Sequence, residues 1–288
     1  MNPRVIGFAA GILAAMFYGT NPLGTLPLYA DGFSCGAVLF YRYGLAVAMF
    51  AAIMLCRGEG LAVRPGHAIR LALLGSVFAL SSLTLYLSFK YMDAGVASAL
   101  LFCYPVMTAV LMAVLFHEHV SWGSTLAIGL ALGGIALLYR GEGGVTLSKL
   151  GFALVMLSSL LYAMYIVAVN QWKVKMSPLK FTFWIVFFGW ITVVVYMFLA
   201  GEPLLMLHGA RQWACAIQLA LLPTVLSLFL MTVAIKRIGS TPAAIMGALE
   251  PVTAVAIGVG LFGESFTLRM ALGITLILVA VTIVVMKR

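Results

Sequence analysis

Charged residues are scarce in this chain. Only 9% of its 288 residues are Asp, Glu, Lys or Arg, whereas 64% are apolar, and the mean hydropathy is +1.14. Such a composition leaves too little polar surface to cover a water-soluble globule. The composition therefore excludes a soluble protein and predicts an all-α, polytopic membrane protein.

Long polar connections are absent as well. An apolar helix needs about 20 residues to cross a bilayer of about 30 Å, and the longest connections, near Arg57–Gly66 and Gly201–Arg211, leave no room for a soluble catalytic or nucleotide-binding domain. We therefore expect no ATP-driven pump on this chain alone and no cofactor. Ten candidate spans fill the sequence, at 5–23, 34–56, 69–89, 94–116, 122–139, 149–170, 180–200, 213–235, 241–262 and 266–286.

The sequence also lacks a metal-binding or redox pattern. Its four cysteines are single and widely spaced, and we interpret them as small apolar residues. The run His117-Glu118-His119 does not place two histidines one helical turn apart, as a metalloprotease motif does. We therefore predict no metal site and assign this run to a loop or helix cap.

The net charge of +9 admits nucleic acid as a partner, but membrane topology explains it better. With a cytoplasmic N-terminus, eleven of the seventeen Lys and Arg residues lie on the cytoplasmic face and five on the other, and Arg42 lies inside span 2. Because positive residues accumulate on the cytoplasmic side, both termini are predicted to be cytoplasmic. Nucleic acid is not expected as a partner.

The chain is a duplicated unit. Gly7-Phe8-Ala9 recurs 144 residues later as Gly151-Phe152-Ala153, and 94–140 aligns without a gap on 240–286, which places Tyr104-Pro105 on Glu250-Pro251. We predict two repeats, 1–143 and 144–288, of five spans each. An odd number of spans turns the second repeat upside down relative to the first, and inverted repeats are typical of secondary transporters.

These residues resemble the drug/metabolite transporter superfamily, specifically its ten-span members built from two EamA-type repeats. The run from Leu249-Glu250-Pro251 to Glu264 is the most specific part of the resemblance, and Arg42 is similar to a recurring arginine of the family. The resemblance implies a carrier in the bacterial inner membrane, and the bacterial exporters of aromatic and neutral amino acids are the most similar members. It also implies a central cavity between the halves.

Two prolines mark a candidate helix break. Pro105 and Pro251 lie near the middle of their spans, where each frees the carbonyl group four residues earlier, at Leu101 and Gly247. In lipid such a carbonyl needs a partner or a watery cavity. A packing kink explains either proline alone, but equivalent positions in inverted halves favour a paired midplane or gating feature.

Glu250 and Arg42 are the candidate charged groups of the site. A carboxylate inside an apolar helix is costly enough to be a functional hypothesis by default, and Glu250 is a candidate to bind a substrate amine, to carry a proton or to clamp the halves. Arg42 is a candidate to meet a substrate carboxylate, to cap carbonyl groups or to snorkel. One cation and one anion would suit a zwitterion.

Aromatic and hydroxyl side chains on several spans predict a cavity for a small amphipathic solute. Alternatively, the aromatic residues mark the bilayer interfaces and the serines permit close helix packing. The candidate lining residues are Tyr18, Asn21, Ser82, Tyr86, Ser98, Tyr104, Tyr162, Tyr165, Trp184 and Ser227.

Ala15 and its repeat partner Ser159 occupy a position where the small multidrug resistance relatives carry a membrane carboxylate. Their proton-antiport mechanism therefore cannot be transferred to this chain.

The leading hypothesis is a non-ATP secondary transporter that exports or exchanges amino acids or related metabolites by alternating access. A multidrug or lipophilic-cation efflux carrier is the alternative. An intramembrane enzyme would need a nucleophile and a base on facing helices, and the sequence offers no such set, so we predict no enzymatic activity. We expect a small-molecule substrate and the lipid bilayer as partners, and a monomer, with a homodimer as the alternative.

Overall fold

The computed structural model of the chain describes residues 3–116, 122–139, 148–172, 176–238, 246–247 and 249–286. His117, Glu118 and His119 lie outside the described residues. The described part contains thirteen α-helices: α1 (Pro3–Gly19), α2 (Asn21–Ala30), α3 (Cys35–Cys56), α4 (Pro65–Ser88), α5 (Ala94–Leu101), α6 (Tyr104–Phe116), α7 (Trp122–Tyr139), α8 (Lys149–Trp172), α9 (Pro178–Ala200), α10 (Gly209–Ala220), α11 (Ser227–Ile238), α12 (Leu249–Phe262) and α13 (Leu268–Met286).

Seven segments of the described residues are helical, long and apolar enough to cross a membrane. Three shorter apolar helices, Ile128–Leu137, Leu249–Phe262 and Leu268–Ile283, occupy the remaining predicted positions. The all-α membrane architecture is thus confirmed, whereas the count of ten spans stays a prediction.

Several spans consist of two helical pieces. The first runs from Arg4 to Ala30, beyond the predicted end at residue 23, because α2 starts at Asn21-Pro22 and continues the path of α1. Another divides into α5 and α6. A third contains a π-helical turn, Leu221–Leu226, between α10 and α11. Breaks within apolar helices leave backbone groups that the rest of the protein must satisfy.

Helix α1 packs antiparallel against α11. A methyl group added at Gly7 would contact Ile238, while the Ser227 hydroxyl donates a 2.8 Å hydrogen bond to the Ala14 carbonyl. Helices α4 and α8 pack in the same manner, and the Ser81 hydroxyl donates a 2.9 Å hydrogen bond to the Ser158 carbonyl. Ser158 lies 144 positions after Ala14, and Ser227 lies 146 positions after Ser81; these are the offsets of the two parts of the repeat alignment, so the two bonds connect equivalent positions.

Helices α3 and α9 form a third antiparallel pair. A glutamate just after the C-terminus of each helix accepts a hydrogen bond from the start of the other helix, and we call each of these contacts a clasp. Both helices end on a left-handed glycine, Gly58 (φ 66°) and Gly201 (φ 64°), and each glycine is followed by a glutamate. Glu59 accepts a 2.6 Å hydrogen bond from the hydroxyl of Ser177, the N-cap residue of α9, and Glu202 accepts a 2.9 Å bond from the Gly36 amide at the start of α3. The glutamates are 143 positions apart and clasp opposite ends of the pair.

Candidate functional site

Four prolines break the helical hydrogen bonding around the interior of the protein. Each removes one backbone donor and frees the carbonyl group four residues earlier, and in every case a different group takes the donor's place. Three of the freed carbonyl groups accept from a side chain: Tyr18 (freed by Pro22) from Asn21 Nδ2 at 2.8 Å, Leu101 (freed by Pro105) from Ser159 Oγ at 3.0 Å, and Leu219 (freed by Pro223) from Thr224 Oγ1 at 3.1 Å. The fourth, the Gly247 carbonyl freed by Pro251, accepts from the backbone amide of Glu250 at 3.0 Å.

Arg42 lies at the centre of a buried polar network and is only 1% exposed. Its Nε donates to Thr224 Oγ1 at 3.0 Å, and one terminal nitrogen donates to the Tyr86 hydroxyl at 2.7 Å. The Tyr86 hydroxyl in turn donates to Asn21 Oδ1 at 2.9 Å. The network therefore joins α3 and α4 to the breaks in the first span and in the π-helical turn.

The remaining surroundings of the Arg42 guanidinium are aromatic. Its central carbon lies 5.4 to 5.9 Å from the ring centroids of Tyr18, Tyr43 and Tyr86, within the range of cation–π attraction. The second terminal nitrogen is buried and has no hydrogen-bond partner. The charge is consequently enclosed by rings in this conformation.

Glu250 lies in the first turn of α12 and is half-buried. Its carboxylate interacts electrostatically with Arg42, Tyr18 and Tyr104. Among the described residues, no group donates a hydrogen bond to this carboxylate. Arg42 and Glu250 thus face the same region without forming a salt bridge.

Tyrosine side chains lie near both charges. The Tyr104 and Tyr162 rings make an edge-to-face contact with their centroids 4.6 Å apart, and the Tyr162 and Tyr165 rings stack with their centroids 5.9 Å apart. Tyr18, Tyr104, Tyr162 and Glu250 each keep part of their surface exposed although they lie close together. We assign to these four partly exposed side chains a candidate solute site, which we call the tyrosine-lined space.

The other candidate residues occupy different surroundings. Ser82 accepts a 2.6 Å hydrogen bond from the Tyr43 hydroxyl, and Ser227 bonds to α1, so both hydroxyls are used in helix packing. Ser98 is buried within α5. The ring contacts of Trp184 are with phenylalanines of its own helix, Phe183, Phe187 and Phe188.

Three residues of the site were missed by the reasoning from sequence. Thr224 accepts a hydrogen bond from Arg42, and the Tyr43 ring covers the guanidinium. The Phe78 ring centroid lies 6.2 Å from that of Tyr43 and 5.3 Å from that of Tyr165, so that Phe78 connects the rings of α3 and α8. Pro223, a proline inside an apolar span, was a signal that could have drawn attention to Thr224. Phe78 carries no such signal.

A second glutamate acts at a helix terminus outside the spans. Glu264 accepts bonds from the amides of Ala94 (2.7 Å) and Gly95 (3.0 Å) and so caps the start of α5. Burial raises the pKa of the Glu264 carboxyl, and the two backbone donors act in the opposite direction. Across the described ranges, no three His, Cys, Asp or Glu side chains gather as metal ligands.

The fold and the charged, aromatic interior define a multi-pass helical membrane protein built to enclose a small solute. The model of the EamA-like transporter family matches residues 5–140 and 149–286, and the chain belongs to this family. It is a membrane transporter, and its relatives include transporters of bacteria and of an archaeon.

Two relatives and one solved structure illustrate the similarity. An uncharacterized transporter of Archaeoglobus fulgidus is 28% identical over 96% of this chain and 95% of that protein. The uncharacterized transporter YdfC of Bacillus subtilis is 27% identical over 68% of this chain and 64% of that protein. A crystal structure with 17% identity superposes over 97% of this chain and 96% of that chain with a TM-score of 0.68, which shows the shared fold.

Proposed function

We propose that this transporter exports or exchanges amino acids or related small zwitterions, and that it does so by alternating access between two inverted halves. The observation that carries the proposal is the pairing of Arg42 and Glu250 across a tyrosine-lined space without a salt bridge. A zwitterion brings one charge for each, and the rings suit its apolar part. We place both termini in the cytoplasm of a bacterial cell, as the distribution of Lys and Arg predicts.

The packing supports a two-fold relation between the halves. The bonds from Ser227 to Ala14 and from Ser81 to Ser158 connect equivalent positions, and Glu59 and Glu202 clasp opposite ends of α3 and α9. Rocking about such an axis would expose a central space to each face in turn.

Binding of a carboxylate by Arg42 requires a local rearrangement, since the guanidinium is enclosed by rings. Tyr18 is the ring best placed to move, because it lies at the end of α1 beside the break at Thr20 and remains partly exposed. The substrate carboxylate would then replace the Tyr18 ring beside the unpartnered nitrogen of Arg42.

Counterflow in proteoliposomes tests this proposal. Labelled neutral and aromatic amino acids are presented with and without a pH gradient and a membrane potential. Glu250→Gln removes a charged hydrogen-bond acceptor and is expected to lower zwitterion transport about tenfold or more. Asp31→Asn, which removes the carboxylate paired with Arg211 at the far end of α2 but keeps an acceptor oxygen there, is the control and keeps the wild-type rate. Wild-type transport by Glu250→Gln would contradict the assigned role.

Lipophilic-cation efflux is the second candidate function. It is favoured by one feature of the site: the Glu250 carboxylate lies beside Tyr18 and Tyr104 and lacks a described hydrogen-bond donor, whereas the Arg42 charge is enclosed. Tetraphenylphosphonium in the same liposomes distinguishes the two. Movement of this cation, with no movement of amino acids under any gradient, would establish the alternative.

A further inference from the structure

A pocket of about 160 Å³ lies at the end of the α3–α9 pair where Glu59 clasps α9. Its walls combine one cation, one anion, two hydroxyl groups and two aromatic rings. The lining residues are Phe50, Arg57, Glu59, Ser177, Pro178, Leu179, Thr182, Leu228 and Phe229. By the distribution of Lys and Arg, this end faces the cytoplasm.

The C-terminus of α3 brings the two charges to the same pocket. Arg57 is the C-cap residue, Gly58 adopts φ 66°, and the Glu59 amide bonds back to the Met54 carbonyl at 3.0 Å. This is a Schellman ending, in which the left-handed glycine reverses the direction of the chain. The reversal places Arg57 and Glu59, the residues before and after Gly58, at the same pocket.

The two charges share the pocket without neutralising each other. Arg57 lies over the Phe229 ring, 5.9 Å from its centroid, and Glu59 accepts its hydrogen bond from Ser177 rather than from Arg57. No salt bridge joins Arg57 to Glu59, although both are fully described and only two positions apart. The pocket thus presents a separated pair of opposite charges beside apolar rings.

The equivalent end of the helix pair lacks this arrangement. Gly201-Glu202 repeats Gly58-Glu59 in sequence and in the left-handed glycine, and both glutamates bond to the start of the facing helix, but Ala200 stands where Arg57 stands in the first repeat. The helix ending alone therefore accounts for the glutamate and for the glycine. It does not account for the arginine, which is the one charge that the clasp does not use.

We propose that this pocket binds a small zwitterionic group, with its ammonium on Glu59, its carboxylate or phosphate on Arg57 and its apolar part against Phe229. Such a group occurs in a free amino acid and in the headgroup of phosphatidylethanolamine, and both carry the same pair of charges on a short linker. The site shares no residue with the tyrosine-lined space, so that binding in the pocket can be measured separately from binding at the central site.

Binding at equilibrium tests the proposal in purified full-length protein. A Glu250→Gln background separates the pocket from the central site, and calorimetry measures binding of phosphoethanolamine and of phenylalanine. Arg57→Gln and Glu59→Gln are each expected to weaken binding about tenfold. The glutamine at position 59 keeps an acceptor for Ser177 and hence the clasp. Ethanolamine or inorganic phosphate alone is also expected to bind about tenfold more weakly than the zwitterion.

Glu202→Gln is the matched control, because it alters the equivalent clasp at the end without an arginine, and its binding should equal that of the parent. Equal binding by all variants would overturn the proposal.

In nanodiscs, native mass spectrometry tests the lipid as the source of the ligand. If Glu202→Gln retains phosphatidylethanolamine and Arg57→Gln loses it, the lipid headgroup is the ligand. Failure of the soluble zwitterions and of this lipid alike would also overturn it.

Discussion

Arg42 holds a positive charge inside the protein among neutral partners. Two hydroxyl groups accept its hydrogen bonds and three tyrosine rings surround it. Replacing Arg42 by a small residue would leave the buried hydroxyls of Thr224 and Tyr86 without their donor and would open a cavity beneath the rings. The network therefore stabilises the fold in addition to any part that it takes in binding, and Arg42→Ala is a poor variant for isolating the second role.

Tyr86→Phe probes this network with the least change of shape. The substitution keeps the ring over Arg42 but removes the hydroxyl that bonds to Arg42 and Asn21. We expect a loss of about 1–3 kcal/mol in the free energy of unfolding, measured by denaturant unfolding in detergent. Tyr91→Phe, at an exposed ring, is the control. Equal stability of the two variants would show that the hydroxyl contributes nothing.

At this scale, sequence reasoning identified the costly residues more readily than their partners. Arg42 and Glu250 stand out because a charge in an apolar helix requires a reason. Thr224 and Phe78 do not, because a threonine and a phenylalanine are ordinary within a span. Their roles arise only from the packing of helices that are distant in sequence, and a single sequence carries no record of that packing.

At the scale of the helix, Glu264 connects two elements that the sequence places far apart. Its carboxylate caps α5, and its own amide bonds to the Gly258 carbonyl in α12. A methyl group at Gly258 would collide with that carboxylate. Glycine is therefore required at 258 by the approach of the glutamate, rather than by backbone conformation.

Gly258→Ala and Gly260→Ala form a matched pair two residues apart in the same helix. Alanine at 260 meets nothing within 4 Å, so it should be neutral or stabilise the helix by up to about 1 kcal/mol. Alanine at 258 should displace Glu264, leave two amides without their cap and cost about 1–2 kcal/mol. Thermal unfolding in detergent compares the two, and equal melting temperatures would refute the cap.

The serine bonds between helices allow a test of equivalence at the same scale. Ser227→Ala and Ser81→Ala each remove a hydroxyl that bonds to a carbonyl of a facing helix, and Ser81 also bonds to the Ser158 hydroxyl. We expect losses of about 0.6–2 kcal/mol, with Ser81→Ala the larger. Thr84→Ala removes a bond within its own helix and is the control. A negligible effect of both serine variants would show that these bonds do not hold the helices together.

For the whole molecule, the sequence predicted the order and nature of the elements well and their interruptions poorly. Apolar length and composition determine whether a segment can cross a bilayer, which is why the all-α architecture was predictable. Pro105 and Pro251 indicated two of the breaks. The break at Thr20 and the π-helical turn at Leu221–Leu226 were not predicted, although Pro22 and Pro223 lie at them in the sequence. A proline inside a span indicates that a carbonyl group is freed, but it does not indicate whether the helix kinks, divides or widens into a π-helical turn.

The proposed inverted relation of the halves can be tested without knowledge of the substrate. If the second repeat is upside down, Gly60 and Pro203, which follow the two clasping glutamates at equivalent positions, lie on opposite faces of the membrane. Both residues are exposed. In a background with Cys35, Cys56, Cys103 and Cys215 replaced, a membrane-impermeant maleimide should label Pro203→Cys in intact cells and Gly60→Cys only in inverted vesicles. Labelling of both from the same side would mean that α3 and α9 end on one face, which the antiparallel clasp by Glu59 and Glu202 does not permit.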